Sequence, residues 1–425
     1  MTERGISRRE FAKSAVAIGG TAALAACLDR GSGTVPKGTD DPSSLPERQH
    51  AWNEVLATDD AGNHRLSRHH VLLLLDYTAD GTPTDADREQ IETALRNLEQ
   101  AYEWSNEGLL FTLGYSPAYF DRFESDPAGV ELPDPAALAP FEDPELDMPD
   151  ALLHLASDDE RVVIEAEEAL KGNREAANDH EMTTTFEGVL REAERRTGFV
   201  GAGLPAEHQD ADGIPDSEPV PEEAPLFMGF KSGFEGNQAS EDRVTVDSGP
   251  FAGGATQHLS KIRLQLQQWY EQDSRDQRVS KMFCPAHAAE DKVEGVGENL
   301  GTDSGIDECP EDVVDSGRRE GVVGHSQKLS RARDDDSPLL LRRDFDSTDG
   351  DHAGLHFLAL QERIEDFVAT REAMNGTDLT DSSAVGQRNN NGILQYMTVT
   401  HRGNYLVPPR SLRALPRPER TDATA

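Results

Sequence analysis

The stretch Gly321–Leu360 reads GVVGHSQKLSRARDDDSPLLLRRDFDSTDGDHAGLHFLAL. It places His325 in a turn bounded by glycine and serine, and Arg342 and Arg343 at the end of a short apolar run. A second apolar run, at 355–360, follows an acidic turn that contains glycine. Both runs are short, apolar and bounded by turn residues, so the pattern predicts two strands. A histidine on a turn and an arginine at a strand end can then meet at one cavity.

The chemistry of these side chains is compatible with an iron site. A neutral imidazole can ligate iron, and a guanidinium can stabilise charge that develops opposite it. Any one of the 13 histidines is nonetheless most commonly a surface or core residue, and paired arginines at a strand end are commonly solvated. Spacing alone therefore leaves both interpretations of His325 and Arg342 open.

Three segments of this stretch resemble motifs of the dye-decolourising (DyP-type) peroxidases. The sequence GHSQ at 324–327 is similar to the family's AHIR, LLRRD at 340–344 to its ILRRG, and GLHFLALQ at 354–361 to its GLLFxxxQR. The resemblance implies an α+β fold of two ferredoxin-like modules with antiparallel sheets, similar to a dimeric α+β barrel. It also implies that haem b is the cofactor and that the second module holds it.

The resemblance implies roles for several residues of the second module. His325 is expected to ligate the haem iron, and its other ring nitrogen is expected to donate to Asp315 or Glu320. Arg342 is expected to contact the cofactor and to hold the hydroxide that departs from bound peroxide. Arg343 should face away, because neighbouring side chains of a strand point to opposite faces.

The segment GFKSGFEGNQ at 229–238 corresponds to the family's most diagnostic motif, GFxDGTxNP. Gly229, Phe230 and Gly233 match the motif, and together with Phe357 they are expected to bind the cofactor. Ser232 stands at the position of the family's catalytic aspartate. Its hydroxyl does not ionise near neutral pH, so it can hold a water but cannot take a proton from bound peroxide.

The loss of this aspartate leaves three functions open. The first is a haem peroxidase that reduces hydrogen peroxide with an unknown organic or metal reductant. In this peroxidase Arg342 alone supports the reaction with peroxide, or Glu235 or Asp344 replaces the aspartate. The second is a haem-binding protein with little turnover because of Ser232. The third is a structural or interaction lipoprotein of the same fold that binds no haem.

The N-terminal half has the pattern of a ferredoxin-like unit, with the order strand, helix, strand, strand, helix. The residue pattern predicts the strands HHVLLLLDY at 69–77 and GLLFTLGY at 108–115 and a helix at 84–104. The resemblance to the family implies the strand ALLHLAS at 151–157 and the helix at 160–170. His154, within the third strand, is expected to be a packed core residue. The chain is predicted to comprise a signal (1–27), a flexible acidic tether (28–66), an N-terminal module (67–210), a C-terminal haem-binding module (225–410) and a disordered tail (411–425).

The first 27 residues have the order of a lipoprotein export signal. The sequence SRREF at 7–11 resembles the twin-arginine signature, and the apolar region at 15–26 that follows is too short to span a membrane. The sequence LAAC at 24–27 resembles a lipobox, in which Cys27 would be lipidated. This predicts export by the twin-arginine machinery and a lipid anchor at the outer face of the cytoplasmic membrane. An ordinary N-terminal helix is the alternative.

The composition is strongly acidic, with 80 acidic against 41 basic residues among 425 and a formal charge of −39. With 36% apolar residues, this charge indicates a folded protein with a carboxylate-rich surface, as in halophiles. An acidic protein that binds cations or basic partners is the alternative. No basic patch is visible, which argues against a nucleic-acid partner. A homo-oligomer is possible.

The chain has three cysteines and no CxxC pair, which makes a zinc or iron–sulfur site improbable. Cys284 and Cys309 are able to form a disulfide outside the cytoplasm. Two free buried thiols are the alternative. His287 lies close to Cys284 in sequence, as two ligands of one metal ion can, but a cysteine and a nearby histidine on a loop commonly have no shared function.

Overall fold

The computed structural model describes residues 34–305, 308–310, 312–335, 337–380 and 384–419. The predicted export signal, including Cys27, lies outside these residues. None of the helices within the described ranges has the length and apolar character that crossing a bilayer requires.

Eight antiparallel strands form the centre of the molecule. They are β1 (His69–Tyr77), β2 (Leu110–Tyr115), β3 (Ala151–Ser157), β4 (Leu190–Phe199), β5 (Ala255–Leu264), β6 (Phe345–Ser347), β7 (Gly354–Gln361) and β8 (Met397–Val407). Each strand pairs with two others in the order β1-β3-β2-β8-β5-β7-β6-β4, and β4 pairs again with β1. The strands therefore close into a barrel, as the α+β barrel expectation requires.

Each half of the barrel is a ferredoxin-like unit. The first half has the strand order β4-β1-β3-β2 and the second has the order β8-β5-β7-β6, which is the same pattern used twice. The helices are α1 (Asp85–Ala101), α2 (Pro117–Asp121), α3 (Glu160–Leu170), α4 (Leu204–Glu207), α5 (Leu266–Glu271), α6 (Arg275–Met282), α7 (Pro285–Ala289), α8 (Val313–Glu320), α9 (His325–Leu329) and α10 (Ile364–Asn375). The predicted fold class is confirmed.

Short strands lie outside this ring. Two pairs form small separate ladders, and two further strands pair with β7 and β8 of the ring. They are Glu145–Leu146, Ala176–Ala177, His180–Glu181, Arg333–Asp334, Ser337–Pro338 and Leu341–Arg342.

The sequence explains why the first strands and helices form where they do. Strand β1 is a nearly continuous apolar run, and almost every residue in it is buried, as expected for a strand covered on both faces. Helix α1 begins with a capping box in which Thr84 and Asp87 bond each other's backbone N–H groups. Its buried residues include Ile91, Leu95 and Leu98, which recur at helical spacing and pack against the sheet.

The interior of the barrel contains both apolar and imidazole side chains. Leu72, Leu259 and Phe345 belong to one buried cluster. His154 is buried as predicted, and its Nε2 lies 2.9 Å from Nδ1 of His70. Burial lowers the pKa of both histidines, which are therefore neutral near pH 7.

The segment preceding β1 does not behave as a flexible tether over its described part, residues 34–66. Trp52 is 1% exposed within the core of the first module. The side chain of Gln49 accepts from the backbone N–H of Leu113 at 2.9 Å and donates to its carbonyl oxygen at 3.0 Å. The tether prediction missed this packing because Gly, Ser and Pro dominate the first part of the segment and conceal the aromatic anchor that follows.

The C-terminal segment is also packed where it is described. Leu415 is fully buried, and its backbone N–H donates to the hydroxyl of Tyr115 at 2.8 Å. The same hydroxyl donates to the carbonyl oxygen of Arg413 at 2.6 Å. Order therefore extends beyond residue 411, and the prediction of a disordered tail is wrong for residues 411–419.

Candidate functional site

A cavity of about 390 Å³ lies on one face of the second module's sheet. Ile262 of β5 and Leu355 and Phe357 of β7 line it, because every second residue of a strand faces the same way. Phe367 and Met374, on one face of α10, complete another wall. The volume falls within the range of about 300–1,000 Å³ that is typical of sites for cofactors and small molecules.

His325 is the first residue of α9 and lines this cavity. Its Nδ1 is enclosed and has no hydrogen-bond partner among the described residues. Burial lowers the pKa of His325 to about 3, and the nearby charges of Lys328, Arg342 and Arg371 contribute in the same direction. The ring is therefore neutral at physiological pH, which is the form that binds a metal.

The predicted acceptor for this ring is wrong. Asp315 is exposed and pairs with Arg318 at 3.1 Å, and Glu320 pairs with Arg319 at 2.8 Å. Neither carboxylate bonds His325 in the part of the chain that the structure describes. Both residues lie on α8 and precede Gly321, whose left-handed backbone ends that helix and redirects the chain.

Close backbone packing sets the position of His325. A Cβ atom on Gly324 would lie 1.7 Å from the carbonyl oxygen of Phe283, so only glycine fits there. A Cβ atom on Gly392 would lie 3.1 Å from the Cα of His325. The backbone N–H of Gln327 also donates to the carbonyl oxygen of Phe283 at 3.3 Å. The start of α9 is thus held between the end of α6 and the segment at 391–392.

A buried lysine ties α9 to its surroundings. Lys328 is fully buried, and its Nζ donates to the backbone oxygen of Met374 and to Oδ1 of Asn391 at 2.6 Å. Asn391 donates in turn to the carbonyl oxygen of Asn375 at 2.9 Å. Burial lowers the pKa of Lys328 well below its usual value. The network joins the histidine-bearing helix to the end of α10, and the sequence analysis did not identify it.

Arg342 and Arg343 point to opposite sides, as strand alternation predicts. Arg342 lines the cavity. Its backbone N–H donates to the side chain of Gln238 at 3.0 Å, which links this strand to the loop that contains Ser232. Arg343 is buried elsewhere, with its guanidinium 4.0 Å from the ring centre of Trp52 and a 2.6 Å bond to the carbonyl oxygen of His50.

The loop at 226–238 contributes only part of what was expected. Phe230 and Ser232 line the cavity, whereas Gly229 and Gly233 do not. Both glycines have positive φ angles, 78° and 75°, so they shape the loop. Their predicted contact with a cofactor is not supported. Glu235 lies at the surface, bonded to Nδ1 of His64 at 2.8 Å, so it does not replace the missing aspartate.

Two carboxyl groups face the cavity near Arg342. Asp344 and Asp346 follow it at alternate positions, and both line the cavity. Burial raises the pKa of Asp344, and it raises the pKa of Asp346 well above the usual value, with the charge of Asp344 adding to the shift. Asp346 accepts from the backbone N–H of Phe227. Asp344 is one of the predicted candidates and Asp346 is not, although its position two residues after Asp344 on the same face as Arg342 is a signal present in the sequence.

Basic side chains concentrate at this cavity in a chain of net charge −39. Glu142 is buried and pairs with Arg371 and, at 2.8 Å, with Arg402. Three further acidic residues line the cavity, so four acidic residues stand there against six basic ones. The basic residues that line the cavity are Lys231, Arg333, Arg342, Arg371, Arg388 and Arg402. Such a wall favours a ligand that carries negative groups.

The residues present fit a haem group. His325 offers a neutral imidazole with an enclosed Nδ1 as a ligand, and the apolar side chains, including Phe230 and Phe357, suit a flat hydrophobic ring. The arginines suit the two carboxylates of haem. His325, Phe230, Ser232, Arg342 and Phe357 are thus brought together from distant parts of the sequence.

Comparison with known proteins gives a family and a fold. The sequence matches the Family of unknown function (DUF7405) over residues 67–409. No curated protein matches it.

Solved structures similar to this chain are dye-decolorizing peroxidases. One, from Bacteroides thetaiotaomicron VPI-5482, is 14% identical, with a TM-score of 0.53 and coverage of 85% of this chain and 98% of that chain. A DypB variant from Rhodococcus jostii RHA1 in complex with heme is 15% identical, with a TM-score of 0.53 and coverage of 82% and 96%. A DypB variant in complex with manganese is 14% identical, with a TM-score of 0.54 and coverage of 87% and 99%. The chain belongs to the DUF7405 family and has the fold of the dye-decolorizing peroxidases.

Proposed function

We propose that this protein is a haem-dependent peroxidase of the DyP type, which reduces hydrogen peroxide with an organic or metal electron donor at the cell surface. The observation that carries the proposal is the meeting of a partly buried, neutral His325 with Arg342 at one largely apolar cavity. Both residues belong to segments that resemble the family's motifs. The fold, which this chain shares with the dye-decolorizing peroxidases, also supports the proposal.

His325 would hold the iron through its ring, and the apolar walls would enclose the porphyrin. When bound, haem supplies an iron that takes up two oxidising equivalents from peroxide and passes them to the donor. The surrounding cations, Arg371 and Arg402 among them, would bind its carboxylates. The cavity walls exclude bulk water, which strengthens the charge interactions inside.

Asp344 is the residue best suited to replace the family's aspartate. Its carboxyl lines the same cavity as Arg342, and burial raises its pKa from that of an ordinary aspartate towards the range of an effective general base. Asp344 would take a proton from one oxygen of hydrogen peroxide and deliver it to the other, which leaves as water. Arg342 would stabilise the negative charge on the departing oxygen, and Ser232 would hold a water.

A second function is favoured by Ser232 itself. Without a carboxylate at this position, the protein binds haem but turns over peroxide slowly. Both proposals expect haem binding, and the rate of peroxide turnover by the haem-loaded protein distinguishes them. The third hypothesis is a structural or interaction lipoprotein that has this fold and binds no haem.

Export and anchoring complete the proposal. The N-terminal 27 residues direct the folded chain to the twin-arginine machinery, and a lipid on Cys27 holds it at the outer face of the cytoplasmic membrane. A Cys27→Ser variant expressed in a host that lipidates such signals should leave the membrane fraction. Retention of that variant in the membrane would contradict the anchor.

The first test is an absorption spectrum of the purified full chain, with and without added haemin. We expect a Soret band at about one haem per chain, lost in His325→Ala and kept in the control His64→Ala, which removes an imidazole paired with surface Glu235. An unchanged spectrum in His325→Ala would exclude this residue as the ligand. No band after haemin addition would favour the structural lipoprotein.

A further inference from the structure

A second cluster of metal-ligating side chains lies outside the cavity. Ligand atoms of Cys284, His287 and Cys309 all lie within 4.8 Å of one another, and the three residues are buried. Nδ1 of His287 is 3.8 Å from Sγ of Cys309, while its Nε2 is enclosed without a hydrogen-bond partner among the described residues. The two sulfurs are joined as a disulfide.

The local fold brings together three residues that the sequence relates only in pairs. Cys284 immediately precedes α7 and His287 lies within it, so the two are one helical turn apart and share a side of the helix. Cys309 is 25 residues from Cys284 in sequence, but their Cα atoms are 6.1 Å apart. A search for CxxC pairs does not detect such an arrangement.

The distance between His287 and Cys309 agrees with a metal centre, whereas the two bonded sulfurs would have to separate on reduction. In a tetrahedral zinc site, Zn–S bonds of about 2.3 Å and Zn–N bonds of about 2.0 Å place neighbouring ligand atoms roughly 3.6 Å apart. The observed distance of 3.8 Å between Nδ1 of His287 and Sγ of Cys309 is close to that value.

We infer that the reduced chain binds one thiophilic metal ion, Zn²⁺ or Cu⁺, through Cys284, His287 and Cys309, and that formation of the disulfide releases it. This inference does not depend on haem. Every chain is made with reduced cysteines in a reducing compartment, so the metal-bound form would precede the oxidised form. Three protein ligands leave a fourth position open to water.

The chemistry balances at each step. Binding of the ion displaces one proton from each of the two thiols, and His287 contributes a neutral nitrogen. Oxidation by a hydroperoxide removes two electrons from the two thiolates, forms the S–S bond and, for hydrogen peroxide, takes up two protons to give two waters. A dithiol reductant reverses the change by becoming a cyclic disulfide itself, while both protein sulfurs regain a proton.

A second cluster in the structure shows what a non-binding arrangement looks like. Asp147, Glu194 and His401 also lie within ligand distance of one another. Both carboxylates are already paired with Arg196, at 2.8 Å and 2.7 Å, so a cation would have to displace a buried guanidinium. His401 therefore provides a matched control for His287.

The test uses the full chain in a Cys27→Ser background, so that only the two cysteines of the cluster react. Protein reduced with a non-chelating phosphine is titrated with Zn²⁺ against a chromophoric chelator, and oxidised protein is titrated in parallel. We expect one Zn²⁺ per reduced chain and none per oxidised chain. His287→Ala should weaken binding by at least about tenfold, and His401→Ala should leave it unchanged.

A spectroscopic measurement avoids dependence on a variant that fails to fold. Co²⁺ added to the reduced chain should give the thiolate charge-transfer and visible bands of a tetrahedral site, and hydrogen peroxide should abolish them as the disulfide forms. Zinc binding of equal affinity in reduced and oxidised protein, or in His287→Ala, would overturn the inference. Absence of both zinc uptake and the cobalt bands would show that the cluster is only a disulfide with a neighbouring histidine.

Discussion

At the residue scale, the departure at Ser232 shifts the burden of proton transfer to Asp344. We expect Asp344→Asn to lower the second-order rate constant for the reaction with peroxide by about 100-fold, because general acid–base catalysis contributes at least that much. Stopped-flow absorbance of the haem-loaded protein measures this rate. Asp315→Asn, which alters an exposed carboxylate on α8, is the control and should not change it.

A second variant separates a lost base from a damaged cavity. Adding Ser232→Asp to Asp344→Asn returns a carboxylate to the family's own position, and the rate should recover at least partly. A rate that is unchanged in Asp344→Asn would show that Arg342 suffices without a carboxylate, as one form of the peroxidase hypothesis holds.

Asp346 is expected to destabilise the folded protein at neutral pH. Burial raises its pKa well above that of an ordinary aspartate, so the folded state prefers the protonated form and loses stability as pH rises through the folded pKa. Asp346→Asn should therefore increase the free energy of unfolding at pH 7 by about 1 kcal/mol or more. The gain should vanish below about pH 4, where the aspartate is protonated in both states. Urea unfolding at the two pH values measures it.

The asparagine can still accept the bond from Phe227 N–H, so the comparison isolates the charge. A loss of stability at pH 7 would mean that the carboxylate is held ionised by partners, against the raised pKa.

At the element scale, the start of α9 tolerates no side chain at position 324. Alanine stands here in the family's motif, yet a Cβ on Gly324 would lie 1.7 Å from the carbonyl oxygen of Phe283. Gly324→Ala should lower the free energy of unfolding by about 1–3 kcal/mol and weaken haem binding, since His325 is the next residue. Gly386→Ala is the matched control, because its nearest contact would be an ordinary 3.7 Å.

Chemical unfolding and haemin titration measure both effects. Equal behaviour of the two glycine variants would mean that the backbone at 283–284 yields easily, and the close packing would then have no role in holding His325.

The elements themselves were largely predictable, and their assembly was less so. Apolar runs predicted β1 and β2, and helical spacing predicted α1, because these signals are local. The resemblance to the family predicted β3 and α3. His325, Arg342, Ser232, Phe230 and Phe357 were found because the motifs that carry them resemble a known family. Local patterns contain no signal for the packing of Trp52.

The same limit applies within the cavity. Lys328 and Asn391 come from segments that meet only in the fold, so neither was identified as support for His325. Asp346 was missed although its alternation with Arg342 and Asp344 is local, because an acidic residue after a strand was interpreted as part of a turn. Glu235 was considered because it is close in sequence to Ser232, and the loop directs it to His64 instead.

At the scale of the whole molecule, buried neutral histidines should make the protein sensitive to mild acid. Burial lowers the pKa of His50, His70 and His325 to about 3 in each case. Their stabilising effect is complete above the unfolded value of about 6.5 and is lost as pH falls towards 3. At pH 5 each of these histidines is expected to lower the free energy of unfolding by about 2 kcal/mol, because the unfolded chain binds a proton that the folded chain excludes.

The measurement is the free energy of urea unfolding, without added haemin, at pH 7, 6 and 5. Ordinary carboxylates bind protons mainly below about pH 4.5, whereas burial raises the pKa of Asp344 and of Asp346. Unfolding is therefore measured in an Asp344→Asn/Asp346→Asn background, in which this window reports chiefly the histidines. A constant free energy of unfolding from pH 7 to pH 5 would mean that the imidazoles are already protonated or accessible in the folded state.

The closed barrel also bears on how the protein is made. The strand that completes the ring between β2 and β5 is β8, near the end of the chain, about 280 residues after β2. At typical translation rates, roughly 15 to 55 s pass between the synthesis of these two strands. During that time the apolar edge of β2 has no neighbour on one side and can pair with another nascent chain. Until β8 is synthesised, the sheet stays open beside β2, and we expect a holding chaperone to protect the chain most during that interval.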